Sequence, residues 1–179
     1  MIGPFVTQAF NDLKEVDAVG LRRDIFGEPN QPLPVHSVGV GVPIDRFEEA
    51  LRAIHTTVAD QETPGPAEVR FVGPSPALLA INRFAPMTCV IGFDGLDNGD
   101  AWAFSHKYID RVRNAGIPMA FHWGKMNDLA ASPGAIEDRL RDMYGVDVLD
   151  TWKNKRRQLL GDFAELFDNA FVRRLGMDG

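Results

Sequence analysis

The fold prediction starts from the residues VHSVGVGVP (35–43) and from the pattern that follows them. Valine recurs through Val35–Val42 and Pro43 ends the run, so we expect a strand here. After Asp45, apolar residues return every three or four positions, which is the period of an amphipathic helix. They are Phe47, Leu51, Ile54 and Val58. The first predicted unit is therefore a strand followed by a helix.

The same order of elements repeats in the next part of the chain. Residues 67–72 alternate polar and apolar side chains, as a half-buried strand does, and Met87–Phe93 has the composition of an inner strand. A helical pattern covers Trp102–Ala115, with Gly116 as its stop, and Met119–Trp123 can form a last strand. Two strand–helix–strand units in tandem predict an α+β fold, a ferredoxin-like antiparallel sheet with helices on one face.

We expect three parts along the chain. Residues 1–34 form an irregular N-terminal segment in this interpretation, because Gly and Pro interrupt the sequence just before the first strand. The α+β domain covers residues 35–145. Residues 146–179 form a helical C-terminal segment, and helices are predicted at Ser132–Tyr144 and Asp150–Leu160.

The overall composition limits the classes of partner. The chain has 179 residues, of which 45% are hydrophobic, enough for a globular core. A formal net charge of -6 argues against nucleic acid, because binding to phosphates needs an excess of clustered Lys and Arg. Cys89 is the single cysteine, so no intrachain disulfide is expected, and no apolar stretch approaches the roughly 18 residues that span a bilayer. We therefore expect a soluble cytoplasmic protein that binds neither nucleic acid nor membrane.

Two groups of side chains could carry chemistry. Glu68 and Arg70 are two positions apart on a predicted strand, so they share a face on which they can form a partly dehydrated ion pair or bind hydroxyl groups. The same spacing also fits an ordinary surface pair. The run FHWGK (121–125) combines two aromatic rings, an imidazole and an ammonium with a glycine. Because alternation puts His122 and Trp123 on opposite faces, one of the two should be structural.

Several other kinds of site are not indicated by the sequence. His36, His55 and His106 have no partner at metal-ligand spacing, so we predict no metal site. The sequence has no glycine-rich phosphate loop and no Gly-x-Ser-x-Gly nucleophile elbow. Spacing alone thus leaves an α+β domain without an assigned reaction.

Taken in order, the motifs resemble those of the C-terminal half of aldonolactone and alditol oxidases, which belong to the vanillyl-alcohol-oxidase-like flavoproteins. The resemblance runs from about Val35 to the C-terminus. It is carried by Val42-Pro43 before a helix, Glu68-Val69-Arg70, Ile91-Gly92-Phe93, His122-Trp123-Gly124-Lys125, and the ending FDNAFVRRLG (167–176). It implies that the α+β domain is a ferredoxin-like cap that lies over the isoalloxazine ring of FAD.

The resemblance also implies roles for individual residues. Arg70 and Lys125 would be catalytic, as cations near the alkoxide that forms while a hydride leaves the carbinol. Glu68, Asp94 and His122 would bind a small polyhydroxylated substrate together with these two cations. Asn169 would contact the cofactor. The chain is then the substrate-binding, C-terminal part of an FAD-dependent oxidoreductase that oxidises a sugar lactone, a polyol or a similar alcohol.

The sequence departs from the family in two respects. Gly92 stands where alditol oxidases have a histidine and Asp94 where they have a hydroxyl residue, so a proton acceptor or a substrate contact is missing or changed. The family binds FAD mainly through an N-terminal domain of about one to two hundred residues, and we expect that domain to be absent from this chain. Activity is therefore expected only when the chain is joined to a flavin-binding domain or subunit.

Two alternatives stay open, and both are compatible with the fold. One is a non-catalytic ligand-binding or assembly module that kept the fold, which Gly92 favours slightly, and the other is an unrelated ferredoxin-like domain. If the resemblance holds, the C-terminal segment should expose apolar surface, so the chain should pair with a flavin subunit or form a homodimer. The residues expected on that surface are Phe163, Leu166, Phe167, Phe171 and Leu175.

Overall fold

A computed structural model describes residues 34–127, 129 and 136–178 of the chain. The chain divides into two compact units, Met1–Pro34 and Val35–Gly179, and the second of these is described below. The irregular segment predicted for residues 1–34 lies outside the described residues, apart from Pro34.

The second unit is built on a four-stranded antiparallel sheet with the order β2-β3-β1-β4. The elements, in chain order, are β1 (Val35–Pro43), a 3-10 turn (Ile44–Arg46), α1 (Phe47–Asp60), β2 (Ala67–Val72), β3 (Thr88–Leu96), α2 (Gly99–Asn114) and β4 (Ala120–Phe121). This βαββαβ order with antiparallel pairing is the ferredoxin-like arrangement, which confirms the predicted α+β fold.

The register of β1 against β3 divides the sheet into two faces. Val38, Val40 and Val42 stand opposite Phe93, Ile91 and Cys89, and all six side chains are buried. This face is covered by α1 and α2, whose buried residues include Ile54, Phe104, Tyr108 and Val112. The alternate residues of each strand point away from α1 and α2, and we call that side the polar face.

Several element boundaries and one helix face differ from the sequence prediction. The strand β3 continues to Leu96, because it stays paired with β1 as far as Val35. On α1 the buried residues are Ala50, Ile54 and Thr57, whereas Leu51 and Val58 are exposed. Positions 50, 54 and 57 share one side of a helix, and Leu51 and Val58 lie on its flank.

The C-terminal segment is helical, as predicted. Its described elements are α4 (Val146–Leu160), a 3-10 stretch (Gly161–Phe167) and α5 (Ala170–Arg174), and α3 (Ile136–Tyr144) lies just before it. Residues 132–135 of the first predicted helix lie outside the described part of the chain. Leu149 of α4 and Leu175 after α5 are buried in the same apolar cluster as the strands. In the described residues, none of the helices has the length and apolar character needed to cross a membrane.

Candidate functional site

Five side chains form a polar cluster on the polar face of the sheet. They are Ser37 of β1, Glu68 and Arg70 of β2, Asp94 of β3, and Lys125 from the turn after β4. Four of them are residues that the sequence singled out, and Ser37 is the member that it missed. The cluster draws on three strands and a turn, so only the folded sheet brings its charges together.

Hydrogen bonds and ion pairs link the five side chains of the polar cluster in a continuous series. Arg70 donates from a guanidinium nitrogen to Glu68 Oε2 at 2.7 Å. Lys125 Nζ lies 3.8 Å from Glu68 Oε1 and 3.2 Å from Asp94 Oδ1. The hydroxyl of Ser37 donates to the same Asp94 oxygen. Each cation therefore has a carboxylate partner, and the two positive and two negative charges balance.

Two glycines make room for this arrangement. Gly39 and Gly92 stand directly opposite each other in β1 and β3. A Cβ at Gly92 would lie 3.0 Å from Glu68 Oε1, and a Cβ at Gly39 would lie 3.4 Å from Lys125 Cδ. The side chains of Glu68 and Lys125 thus lie close over the backbone of two glycines, and a Cβ at Gly92 would make the contact with Glu68 tight.

The turn after β4 carries Lys125 to the cluster because it is tied back to β1. His122 N donates to the Gly39 carbonyl at 3.0 Å, and Lys125 N donates to the His122 carbonyl at 3.0 Å. Met126 N then donates to the Ser37 carbonyl at 2.7 Å. These three bonds fix the backbone on either side of Lys125, so the position of its ammonium group is set by strand β1.

His122 and Trp123 have different surroundings. His122 is exposed on the polar face beside Lys125, where its Nδ1 accepts a hydrogen bond from Gly124 N at 3.2 Å. The Trp123 indole instead donates to the Leu79 carbonyl at 2.8 Å and stacks on Tyr144 at 5.8 Å between ring centroids. As the alternation predicted, one of the two is structural: Trp123 holds the loop before β3 against α3.

The Glu68–Arg70 pair is more exposed than a dehydrated pair would be. The side chain of Arg70 is 66% exposed, and Lys125 is the least exposed charged member of the cluster. The expectation of a partly dehydrated Glu68–Arg70 pair is therefore wrong for Arg70, because it stands on the outer strand β2 with solvent around its guanidinium. Only the Lys125 end of the polar cluster is enclosed.

Asn169 lies outside the polar cluster. It is exposed and precedes α5, where its side-chain oxygen accepts a hydrogen bond from Val172 N at 2.9 Å. This is the usual capping contact at the start of a helix. The side-chain amide of Asn169 still offers its N–H donors to another molecule.

The described residues fit only part of an FAD site. The polar face supplies an ammonium, a guanidinium and two carboxylates that could stand against the reacting edge of a flavin. All of these charges are paired, and the described residues include no glycine-rich loop that could hold a diphosphate. They also include no group of three or more His, Cys, Asp or Glu side chains placed to hold a metal ion. The fit is therefore to one wall of a flavin site.

Two pockets open beside the polar cluster. One, of about 270 Å³, lies between the loop at 79–82 and the turn at 121–124, next to His122. The other, of about 210 Å³, lies at the start of β1 and includes Lys125 in its wall. A third cavity, beside Arg113 and Met143, includes none of the predicted site residues. Members of the cluster thus line the pocket of about 210 Å³, and His122, next to Lys125 in the sequence region 122–125, lines the other.

Comparison with known proteins gives no relative: no protein-family model matches the chain, and neither a curated protein nor a solved structure does so. The function is therefore inferred from the residues of the chain and their geometry.

Proposed function

We propose that this chain is the substrate-binding, C-terminal part of an FAD-dependent oxidoreductase that oxidises a sugar lactone, a polyol or a similar alcohol. The observation that carries the proposal is the convergence of Glu68, Arg70, Asp94 and Lys125 on the polar face of a ferredoxin-like sheet. The motifs at these positions resemble those of aldonolactone and alditol oxidases, and the ferredoxin-like topology agrees with that resemblance.

The charge balance of the polar cluster supports a neutral, hydroxylated substrate. A carboxylate or phosphate substrate would have to displace Glu68 or Asp94 from their cations, whereas neutral hydroxyl groups can bind without breaking an ion pair. Each ionised carboxylate accepts several hydrogen bonds, and the ammonium and guanidinium groups donate several. A polyol or sugar lactone offers alternating donors and acceptors to match them.

The two cations are suited to stabilise negative charge on a carbinol oxygen. A positive group held near an oxygen that loses its proton lowers the barrier, and more so when water is excluded. Lys125 is the better placed of the two because it is the more enclosed. Glu68 orients both cations, and Asp94 positions Lys125 from the other side. FAD, when a flavin-binding domain or subunit holds it, supplies the hydride acceptor.

Binding of a polyol to the chain itself tests this proposal. Xylitol or a sugar γ-lactone, titrated into ¹⁵N-labelled protein, should shift the amide signals of Glu68, Gly92 and Lys125 with saturation. Arg70→Ala and Lys125→Met should each weaken binding by about tenfold or more, since each removes charge-assisted hydrogen bonds. Arg52→Ala is the matched control, because it breaks an exposed Arg–Glu pair on α1, the helix that covers the opposite face of the sheet.

Two outcomes would contradict the proposal. Absence of saturable shifts at these three amides, or equal loss of binding in Arg52→Ala and Arg70→Ala, would separate the polar cluster from polyol binding. A second measurement addresses the reaction: in complex with a flavin-binding domain, addition of the bound polyol should bleach the FAD absorbance. Binding without any bleaching in that complex would favour a ligand-binding module that does not catalyse a reaction.

A further inference from the structure

The pocket of about 210 Å³ beside Lys125 is distinct from the polar cluster, although two residues of the cluster line it. Its lining includes Ser37 and Lys125, and also His36, Asp97 and Trp102, of which His36 and Trp102 are in ring contact. Ser37 and Lys125 are members of the polar cluster, so a molecule bound to the cluster could extend into this pocket. Its other residues have no part in the function proposed above.

Trp102 is an exposed indole that the protein holds in a fixed position. Its side chain is 42% exposed, although it belongs to the large apolar residues that folding usually covers. The indole N–H donates to Asp97 Oδ1 at 2.6 Å. The ring also contacts His36 edge-on, at 5.1 Å between centroids, and His106 on the next turn of α2, at 6.0 Å. A ring fixed from three sides loses little further freedom when a ligand packs against it.

Polar groups of the same pocket are placed to hold hydroxyls. Asp97 uses one carboxylate oxygen for the indole, and its Oδ2 makes no hydrogen bond to the described part of the chain. The Lys125 ammonium stands at the boundary with the polar cluster. Small-molecule sites combine an aromatic wall with a few such polar groups, which fix the orientation of the ligand.

We propose that this pocket is a second subsite, which binds a hydroxylated ring. The apolar C–H face of the ring packs on Trp102, and its hydroxyl groups donate to Asp97. The volume, equal to about seven water molecules, suits one ring with its substituents. The unshared carboxylate oxygen of Asp97 disfavours an anionic ligand.

The subsite adds to the proposed function. Its part in a reaction rests on that function, whereas the binding of a ring at Trp102 does not. If a substrate occupies both sites, it carries its reacting alcohol at the polar cluster and a ring at Trp102. The substrate class is then a cyclic sugar derivative, such as a glycoside or a lactone with a ring substituent, and linear alditols would fill only the cluster.

The experiment uses the chain with two neutral probes, methyl β-D-glucopyranoside and the linear alditol xylitol. In ¹⁵N spectra the glucoside should shift the Trp102 indole signal and the backbone signals of Ser37 and Gly124, and xylitol should shift the Trp102 indole little. Trp102→Leu removes the aromatic face, and Asp97→Asn keeps an acceptor for the indole N–H while removing the charge. Each should weaken glucoside binding by about tenfold. Trp152→Phe, on α4, is the matched control and should leave binding unchanged.

The outcomes separate this inference from the proposed function. Glucoside binding that is weakened by Arg70→Ala, but unaffected by Trp102→Leu and Asp97→Asn, overturns the subsite and leaves the proposed function in place. Glucoside binding that persists in Arg70→Ala and is lost in Asp97→Asn supports the subsite, and the xylitol titration tests the function proposed for the cluster separately. No Trp102 shift up to about 100 mM glucoside overturns the subsite outright. If Trp102→Leu does not fold, Asp97→Asn decides the question.

Discussion

The side chain of Glu68 lies across the backbone of Gly92, so closely that a Cβ at position 92 would stand 3.0 Å from Glu68 Oε1 and 3.1 Å from its Cγ. The two residues are paired in register between β2 and β3. The space above Gly92 is therefore used by the carboxylate that connects Arg70 to Lys125. Gly92 thus leaves room for the Glu68 carboxylate on its way to Lys125.

Gly92→Ala should disrupt the polar cluster without unfolding the protein. The added methyl group would stand 3.0 Å from Glu68 Oε1, so the carboxylate has to shift by a few tenths of an ångström away from its cations. We expect polyol binding to fall by about tenfold, with a moderate decrease in Tm. Gly99→Ala is the control, because a Cβ added at Gly99 would have no neighbouring atom within 4 Å and the residue opens α2. Equal effects of the two substitutions would contradict this role for Gly92.

The buried ion pair between Arg156 and Asp168 should be the most sensitive charged pair in the C-terminal segment. Their side chains are 9% and 10% exposed, and Arg156 also donates to the Ala164 carbonyl at 3.4 Å. Asp168→Ala leaves a guanidinium uncompensated, which typically costs about 3–5 kcal/mol.

Urea denaturation followed by circular dichroism measures this loss. Glu48→Ala, which breaks the exposed Arg52–Glu48 pair on α1, is the control and should change the free energy of unfolding by less than about 1 kcal/mol. Similar losses in Asp168→Ala and Glu48→Ala would show that the inner pair is not specially sensitive.

Stability should fall as the pH drops below about 6.5, because His36 is buried. Burial lowers the pKa of His36 below its ordinary value; among the smaller influences Asp97 and Asp94 raise it and His106 lowers it. The unfolded chain then takes up a proton at a pH where folded His36 stays neutral. The stabilisation is thus complete above the unfolded pKa and is lost as the pH falls towards the folded one.

Thermal melts between about pH 5 and pH 8 test this expectation. In His36→Asn the decrease in Tm on acidification should be smaller than in the parent protein, whatever the variant's absolute stability. The carboxyl groups of Asp60 and Glu49, whose pKa values are lowered by hydrogen bonds to arginines, contribute at a lower pH. Parallel pH profiles in the two proteins would refute a role for His36.

The sequence predicted the parts of the site that depend on strand alternation. Glu68 and Arg70 share a face because they are two positions apart, and the ferredoxin-like order of elements follows from the succession of strand and helix patterns. Ser37 was missed because its partner Asp94 is 57 residues away, and the register that joins them is set by pairing between distant segments. Alternation in VHSVGVGVP could have placed Ser37, Gly39 and Gly41 on one face, but not against Asp94.

Other features depend on packing that local patterns do not contain. Leu51 and Val58 of α1 fit the helical period as well as Ala50 and Thr57 do, and only the angle at which the helix lies on the sheet decides which are buried. The Trp102 pocket combines the start of β1, the β3–α2 turn and residues 124–126. No single stretch of sequence carries its pattern.

The C-terminal segment exposes apolar side chains, and this surface should drive self-association of the isolated chain. Leu159, Phe163, Leu166 and Phe167 are all exposed, with Leu166 at 78%. The prediction for this surface was wrong for Leu175, which is buried because it packs into the core after α5, and Phe171 is only partly exposed. The exposed residues follow one another through the end of α4 and the 3-10 stretch. Apolar surface concentrated in this way tends to recruit a partner.

Light scattering coupled to size-exclusion chromatography measures that association. The parent chain should elute as a dimer or a concentration-dependent mixture, and Leu159→Asp combined with Leu166→Asp should elute as a monomer, because two charges in the contact would have to be desolvated. Val58→Asp, at an exposed apolar position on α1, is the control and should leave the association unchanged. A parent chain that stays monomeric at every concentration would show that these apolar side chains remain exposed to solvent and do not form an interface.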